Sequence, residues 1–135
     1  MKQYKLFLCL FFLLISFNTV YSQVIKLKAY AFSYKTQKKF GWSDWMEWQN
    51  CKILITIDLN EDRIKIYSKL TQEYDIISSE MEKYDSEGNK YIKLSCIDEF
   101  GLRCNVRVVS RSNDNREMYV DYSDVIWVYS VYRLD

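Results

Sequence analysis

The chain has 135 residues, 19 basic and 18 acidic, with no histidine, no proline and only three glycines. Without histidine there is no Ser-His-Asp or Cys-His nucleophile activation, none of the usual zinc sites and no imidazole pH switch. Three scattered glycines cannot form a glycine-rich phosphate loop, and the balanced charge lacks the basic footprint of a nucleic-acid binder.

Lys2 and Lys5 precede a nearly unbroken apolar run from Leu6 to Phe17, and Val20-Tyr21-Ser22 offers a small residue for cleavage. This is the layout of a secretory signal over residues 1–22, with a working domain over 23–135. The run is shorter than the ~20 residues a bilayer span needs. Cys9 sits early in it, after Leu8, unlike a lipid-acceptor cysteine, and is expected to be removed with the leader. Cleavage removes two lysines and leaves a net charge of −1, so the slight basic bias belongs to the leader. Nothing later is long and apolar enough to span a membrane; Ile53 to Ile57 is far too short. The expected location is secreted or periplasmic.

Val24 to Tyr34 reads as a first strand with an irregular pattern, bulged near Ala29. Lys35, Lys38 and Lys39 follow, as a solvated loop. Gly41 to Asn50 carries Trp42, Trp45 and Trp48 at every third residue, a spacing that suits a loop or a short helix with Ser43 as a possible N-cap. From Cys51 to Ile57 apolar and polar residues alternate, Leu59 to Asp62 supplies turn residues, and Arg63 to Ser68 alternates again; this predicts a hairpin. Asp58-Leu59-Asn60-Glu61-Asp62 imitates the start of a calcium loop, but Arg63 stands where glycine is needed and Lys69 where the bidentate glutamate belongs. The turn reading therefore wins, and no metal site is expected. Residues 73–78 continue the alternation with Tyr74 and Ile76 on one face.

Ile92, Leu94 and Cys96 share a face, as do Leu102, Cys104, Val106 and Val108. Between them, Asp98 and Gly101 suit a type I turn with a left-handed glycine, a three-residue loop of Glu99, Phe100 and Gly101. The final pair is Met118 to Tyr122 and Val125 to Tyr132. The last strand is apolar on both faces and is expected to be covered on its second side. Seven or eight strands with short connections predict an all-β fold, a single antiparallel meander closed as a small barrel or folded as a sandwich.

Cys51, Cys96 and Cys104 remain after cleavage, an odd number that leaves at least one thiol outside any internal bridge. The hairpin register opposes Cys96 and Cys104, at a separation compatible with a disulfide. Two readings stand: a Cys96–Cys104 bridge, or three buried, inert thiols. Cys-x₇-Cys without histidine is not zinc spacing.

The segments W-S-D-W-x-x-W, C-K-I-L-I-T-I-D, R-I-K-I-Y-S, Q-E-Y-D-I-I, C-I-D-E-F-G-x-x-C and Y-x-x-V-I-W-V-Y resemble those of small secreted proteins of unknown function found in Bacteroidota. The resemblance covers most of the mature chain. It implies an exported small β-protein and brings no catalytic residue or cofactor.

For function, the tryptophans are the leading candidates. Exposed indoles stack on sugars or grip apolar ligands, whereas buried ones close a core. The first expectation is a non-enzymatic module that binds a small apolar or sugar ligand or a partner protein, with Trp42, Trp45 and Trp48 at the mouth. The second is a hydrolase using carboxylates drawn from Glu73, Asp75, Asp98, Glu99, Asp121 and Asp124, two of which would have to face each other across a cleft. The third is a structural protein of the envelope or matrix.

Overall fold

The computed structural model describes residues 23–134; the expected leader, with Cys9 and the expected cleavage site, lies outside them. The strands are β1 (Val24–Lys38), β2 (Gly41–Trp42), β3 (Gln49–Asp58), β4 (Arg63–Tyr67), β5 (Gln72–Tyr84), β6 (Lys90–Asp98), β7 (Arg103–Ser110), β8 (Arg116–Asp121) and β9 (Val125–Leu134). From β3 onward each pairs antiparallel with the next, and β1 pairs with β3 on one edge and β9 on the other. The meander therefore closes into an eight-stranded barrel, with β2 as a short hairpin partner of β1. Closure removes the free edges that a sandwich of these strands would expose.

The strands are strongly tilted. From Val24, successive partners are Asp58, Arg63, Asp75, Ile97 and Arg103. Slightly further along β7, Asn105 leads through Asp121 and Ile126 back to Lys35, near the opposite end of β1. A circuit around the barrel thus climbs most of β1, which is why that strand must be long.

The bulge expected near Ala29 lies between Ala29 and Ala31 in both pairings of β1. It shifts the inward phase from Leu27 and Ala29 to Phe32, so both halves of the strand present apolar residues to the core. Inward positions elsewhere carry Ile55, Ile57, Ile64, Ile66, Tyr74, Leu94, Cys96, Val106, Met118, Val120 and Val131, all buried. Outward positions carry Lys28, Lys65, Lys93 and Arg107. Both hairpins form as their turn residues require. Asp58 Oδ1 accepts the Asn60 and Glu61 N–H groups at 3.0 and 3.1 Å, so this carboxylate serves the turn. Gly101 adopts φ 82°, the left-handed conformation that the three-residue loop demands.

Residues 43–48 form no helix. They cross the outside of the barrel as a strap. The Ser43 N–H donates to the Thr36 carbonyl at 2.8 Å, the Met46 N–H donates to the Tyr34 carbonyl at 2.9 Å, and Ser33 Oγ donates to the Met46 carbonyl. Backbone pairing with β1 satisfies groups that a helix would otherwise have to bond internally. Beneath the strap, the outward-facing Ser33 and Val128 are buried, which explains why β9 is apolar on both faces.

Candidate functional site

The two ends of the barrel are built differently. One end is plugged with aromatic side chains. Phe32, Tyr34 and Trp127 pack together, with the Tyr34 and Trp127 ring centres 4.8 Å apart. Tyr74 donates its hydroxyl to Gln72 Oε1 at 2.7 Å, and Tyr122 donates to Asp98 Oδ2 at 2.8 Å. Asp98 Oδ1 accepts the Phe100 and Leu102 N–H groups at 2.9 and 2.8 Å. Partial burial would raise the Asp98 carboxyl, but these hydrogen bonds outweigh it and hold it below the usual carboxylate range.

The other end is open. A cavity of about 200 Å³ is walled by Ile25, Leu27, Ile57, Ile92, Leu94 and Val108 and rimmed by Glu82, Lys90, Ser110, Arg116 and Arg133. The rim groups continue the inward faces of their strands: Lys90 precedes Ile92 and Leu94, Arg116 precedes Met118 and Val120, and Arg133 follows Tyr129 and Val131. Arg116 is register partner of Ser110 and Val131, and Arg133 of Leu27. Lys90 Nζ meets Glu82 at 2.9 Å, and the Glu82 carboxylate raises the Lys90 pKa while nearby Arg116 opposes that rise. Among the described residues neither Arg116 nor Arg133 has a carboxylate within ion-pair distance.

The turns around this opening are tied together. Asp85 accepts the Asn89 N–H at 2.9 Å and the Asn89 amide at 3.1 Å, and the buried Asn89 side chain accepts the Ser112 N–H at 3.3 Å. The β5–β6 and β7–β8 turns are thereby tied to each other beside the rim.

The tryptophans lie away from this cavity. Trp42, Trp45 and Trp48 belong to β2 and the strap, beside the aromatic end, and are 41, 41 and 47% exposed. Lys35 Nζ sits 4.6 Å from the Trp45 ring centre and 5.7 Å from that of Trp42. Trp45 also packs on Tyr119 at 6.2 Å, and the Arg107 guanidinium covers Tyr119 at 4.4 Å. Trp45 is thus a clasp between strap and barrel, already occupied by a cation. Trp42, Trp45 and Trp48 do not stand at the mouth, because the strap follows β1 along the outer wall rather than folding over an opening.

Cys96 and Cys104 are register partners, as the hairpin loop dictates, but the bridge is not formed: both thiols, and that of Cys51, are free. The Asp98 N–H donates to the Leu102 carbonyl at 2.9 Å, so alternation makes Cys96–Cys104 a hydrogen-bonded pair as well. Side chains diverge more at such pairs than a disulfide's Cβ spacing allows. Burial raises the Cys96 thiol to about 12 and the Cys104 thiol to about 11, keeping both protonated and inert.

The carboxylates are dispersed. Glu73 and Asp75 pair with Lys65 and Arg63 on the outer surface, and Asp121 takes Arg107 in a bidentate pair. Asp98 and Glu82 sit at opposite ends of the barrel. Among the described residues no group of three His, Cys, Asp or Glu side chains converges as a metal site, and no helix is long and apolar enough to cross a membrane.

The rim residues Lys90, Arg116 and Arg133 escape a reading based on aromatic clusters. Their signal is positional: each is a cation at an inward position beyond an apolar run. Against protein-family models, curated proteins and solved structures, the chain finds no match.

Proposed function

We propose that the protein is a non-catalytic binding barrel that takes a small apolar ligand, or one apolar end of a larger molecule, into its open end. The observation that carries this reading is the cavity of about 200 Å³ with an aliphatic wall and a polar rim. Close-packed interiors leave few voids of that size, and sites for drug-sized ligands hold roughly 300–1,000 Å³, so the occupant is small. A location outside the cytoplasm, secreted or periplasmic, belongs to this reading and is supported by the leader-like segment 1–22 and the resemblance to exported Bacteroidota proteins; the reading needs no cofactor. Chemical-shift mapping with octanol tests it. Shifts are expected at Ile25, Leu27, Ile57 and Val108, and shifts confined to Trp42, Trp45 and Trp48 would overturn it.

A second reading has its own observation. Phe40, Leu70 and Phe100 are 94, 82 and 82% exposed, each on a turn at the aromatic end. Three apolar tips at one end favour an envelope or matrix role in which that end meets a partner. Sedimentation of the triple variant Phe40→Ser, Leu70→Ser, Phe100→Ser tests it: the parent should self-associate or sediment with envelope material, and the variant should not.

A further inference from the structure

We infer that the ligand of the open end carries a carboxylate, held by Arg116 and Arg133, on an alkyl body that enters the aliphatic cavity. The inference rests on the proposed binding at that cavity and names the ligand class. Three cations, Lys90, Arg116 and Arg133, stand on the rim against one carboxylate, Glu82. Glu82 is committed to Lys90 at 2.9 Å, so the net charge offered to an incoming group is positive. Among the described residues that line the outer groove beside the two arginines, the acidic side chain is Asp114, on the outer slope.

Register places both guanidinium stems on one arc of the inner wall. Arg116 faces Val131, and Arg133 lies two positions further along the same strand face, opposite Leu27. An ammonium would serve as a point charge, but two guanidinium groups present planar forks that match a carboxylate. The wall immediately below is Ile25, Leu27, Ile57 and Val108, with no charged residue until the aromatic end. Such a site selects a molecule polar at one tip and apolar behind it. Among the lining residues a sugar would meet one aromatic ring, Tyr91, against an otherwise aliphatic wall, and a cationic amphiphile would meet like charge.

Calorimetric titration with octanoate, octanol and octylamine tests the inference on the folded domain. Octanoate should bind about tenfold or more tightly than octanol, since a charge-assisted hydrogen bond contributes at least that ratio, and octylamine more weakly than either. Arg116→Gln with Arg133→Gln should abolish the preference for octanoate over octanol, with the thermal midpoint checked on the same sample. Val108→Phe should weaken octanoate and octanol alike by filling the cavity. Equal binding of octanoate and octanol, or an unchanged preference in the double arginine variant, would overturn the carboxylate inference and leave the cavity reading standing. Failure of all three probes would overturn the cavity reading itself.

Discussion

The aromatic end and the open end of the barrel share one backbone architecture and one alternation of inward and outward residues, yet one is filled and the other is not. At the aromatic end the inward positions hold Phe32, Tyr74, Tyr122, Trp127 and Tyr129, which fill the lumen, and the Tyr74 and Tyr122 hydroxyls find partners at the rim. At the open end the same inward positions hold Ile25, Ile57, Ile92 and Val108, then charged groups that turn to solvent. An aromatic ring reaches across a small barrel; a branched aliphatic covers only its own strand. Side-chain volume per inward position, rather than strand number, decides where such a barrel has room.

This contrast can be broken by mutation, beginning where packing is tightest. Ile66→Ala, at a fully buried position, should cost about 2–5 kcal/mol in urea unfolding, whereas Val108→Ala beside the cavity should cost under about 1.5 kcal/mol because little new void is made. Equal costs would mean that the open end is as well packed as the middle. Trp45→Ala should cost about 2 kcal/mol, roughly half the effect of truncating a buried indole, by releasing the strap from Tyr119 and Lys35. Trp48→Ala, without a comparable aromatic contact, should cost less, and far-ultraviolet dichroism, which does not depend on tryptophan emission, can follow both. A larger loss for Trp48 would relocate the clasp.

Tyr122→Phe removes one hydrogen bond to Asp98 and should cost about 1 kcal/mol at neutral pH. The pH dependence has a definite sign. The folded Asp98 pKa lies below its unfolded value, so its stabilisation is fully present above the unfolded carboxyl pKa and is lost as pH falls through the folded one. Parent and variant should therefore converge in acid, and a gap that persists there would assign the loss to packing. The smallest effect belongs to the outer surface: Arg63→Ala, which breaks an exposed pair with Asp75 at 3.4 Å, should change stability by less than about 0.5 kcal/mol.

Much of the wall was legible residue by residue. The alternation in Cys51 to Ser68 and Ile92 to Val108 placed both hairpins, and Asp98 with Gly101 set the register that opposes Cys96 to Cys104. Opposition alone does not make a bridge: Cys96–Cys104 lies two positions along the ladder from the hydrogen-bonded Asp98–Leu102 pair, and so is itself a hydrogen-bonded pair with diverging side chains. The polar stretch Ser79 to Tyr84 gave little sign that β5 runs to Tyr84, since two bulges interrupt its alternation. That extension carries Glu82 to the rim. Trp42, Trp45 and Trp48 drew attention as a cluster, while Arg116 and Arg133 are distant in sequence and become neighbours only through the pairing of β8 with β9.

The sequence by itself determined strands, turns and the bulge at Ala29, because those follow from side-chain alternation and from backbone conformations that only a few residues tolerate. Only the tertiary structure decided that β1 closes on β9, that residues 43–48 lie along the outer wall, and that the cavity opens at the end opposite the tryptophans. Each of these depends on tilt and closure. They join residues far apart in the chain, and no local pattern records which side chains such a circuit will bring to one end.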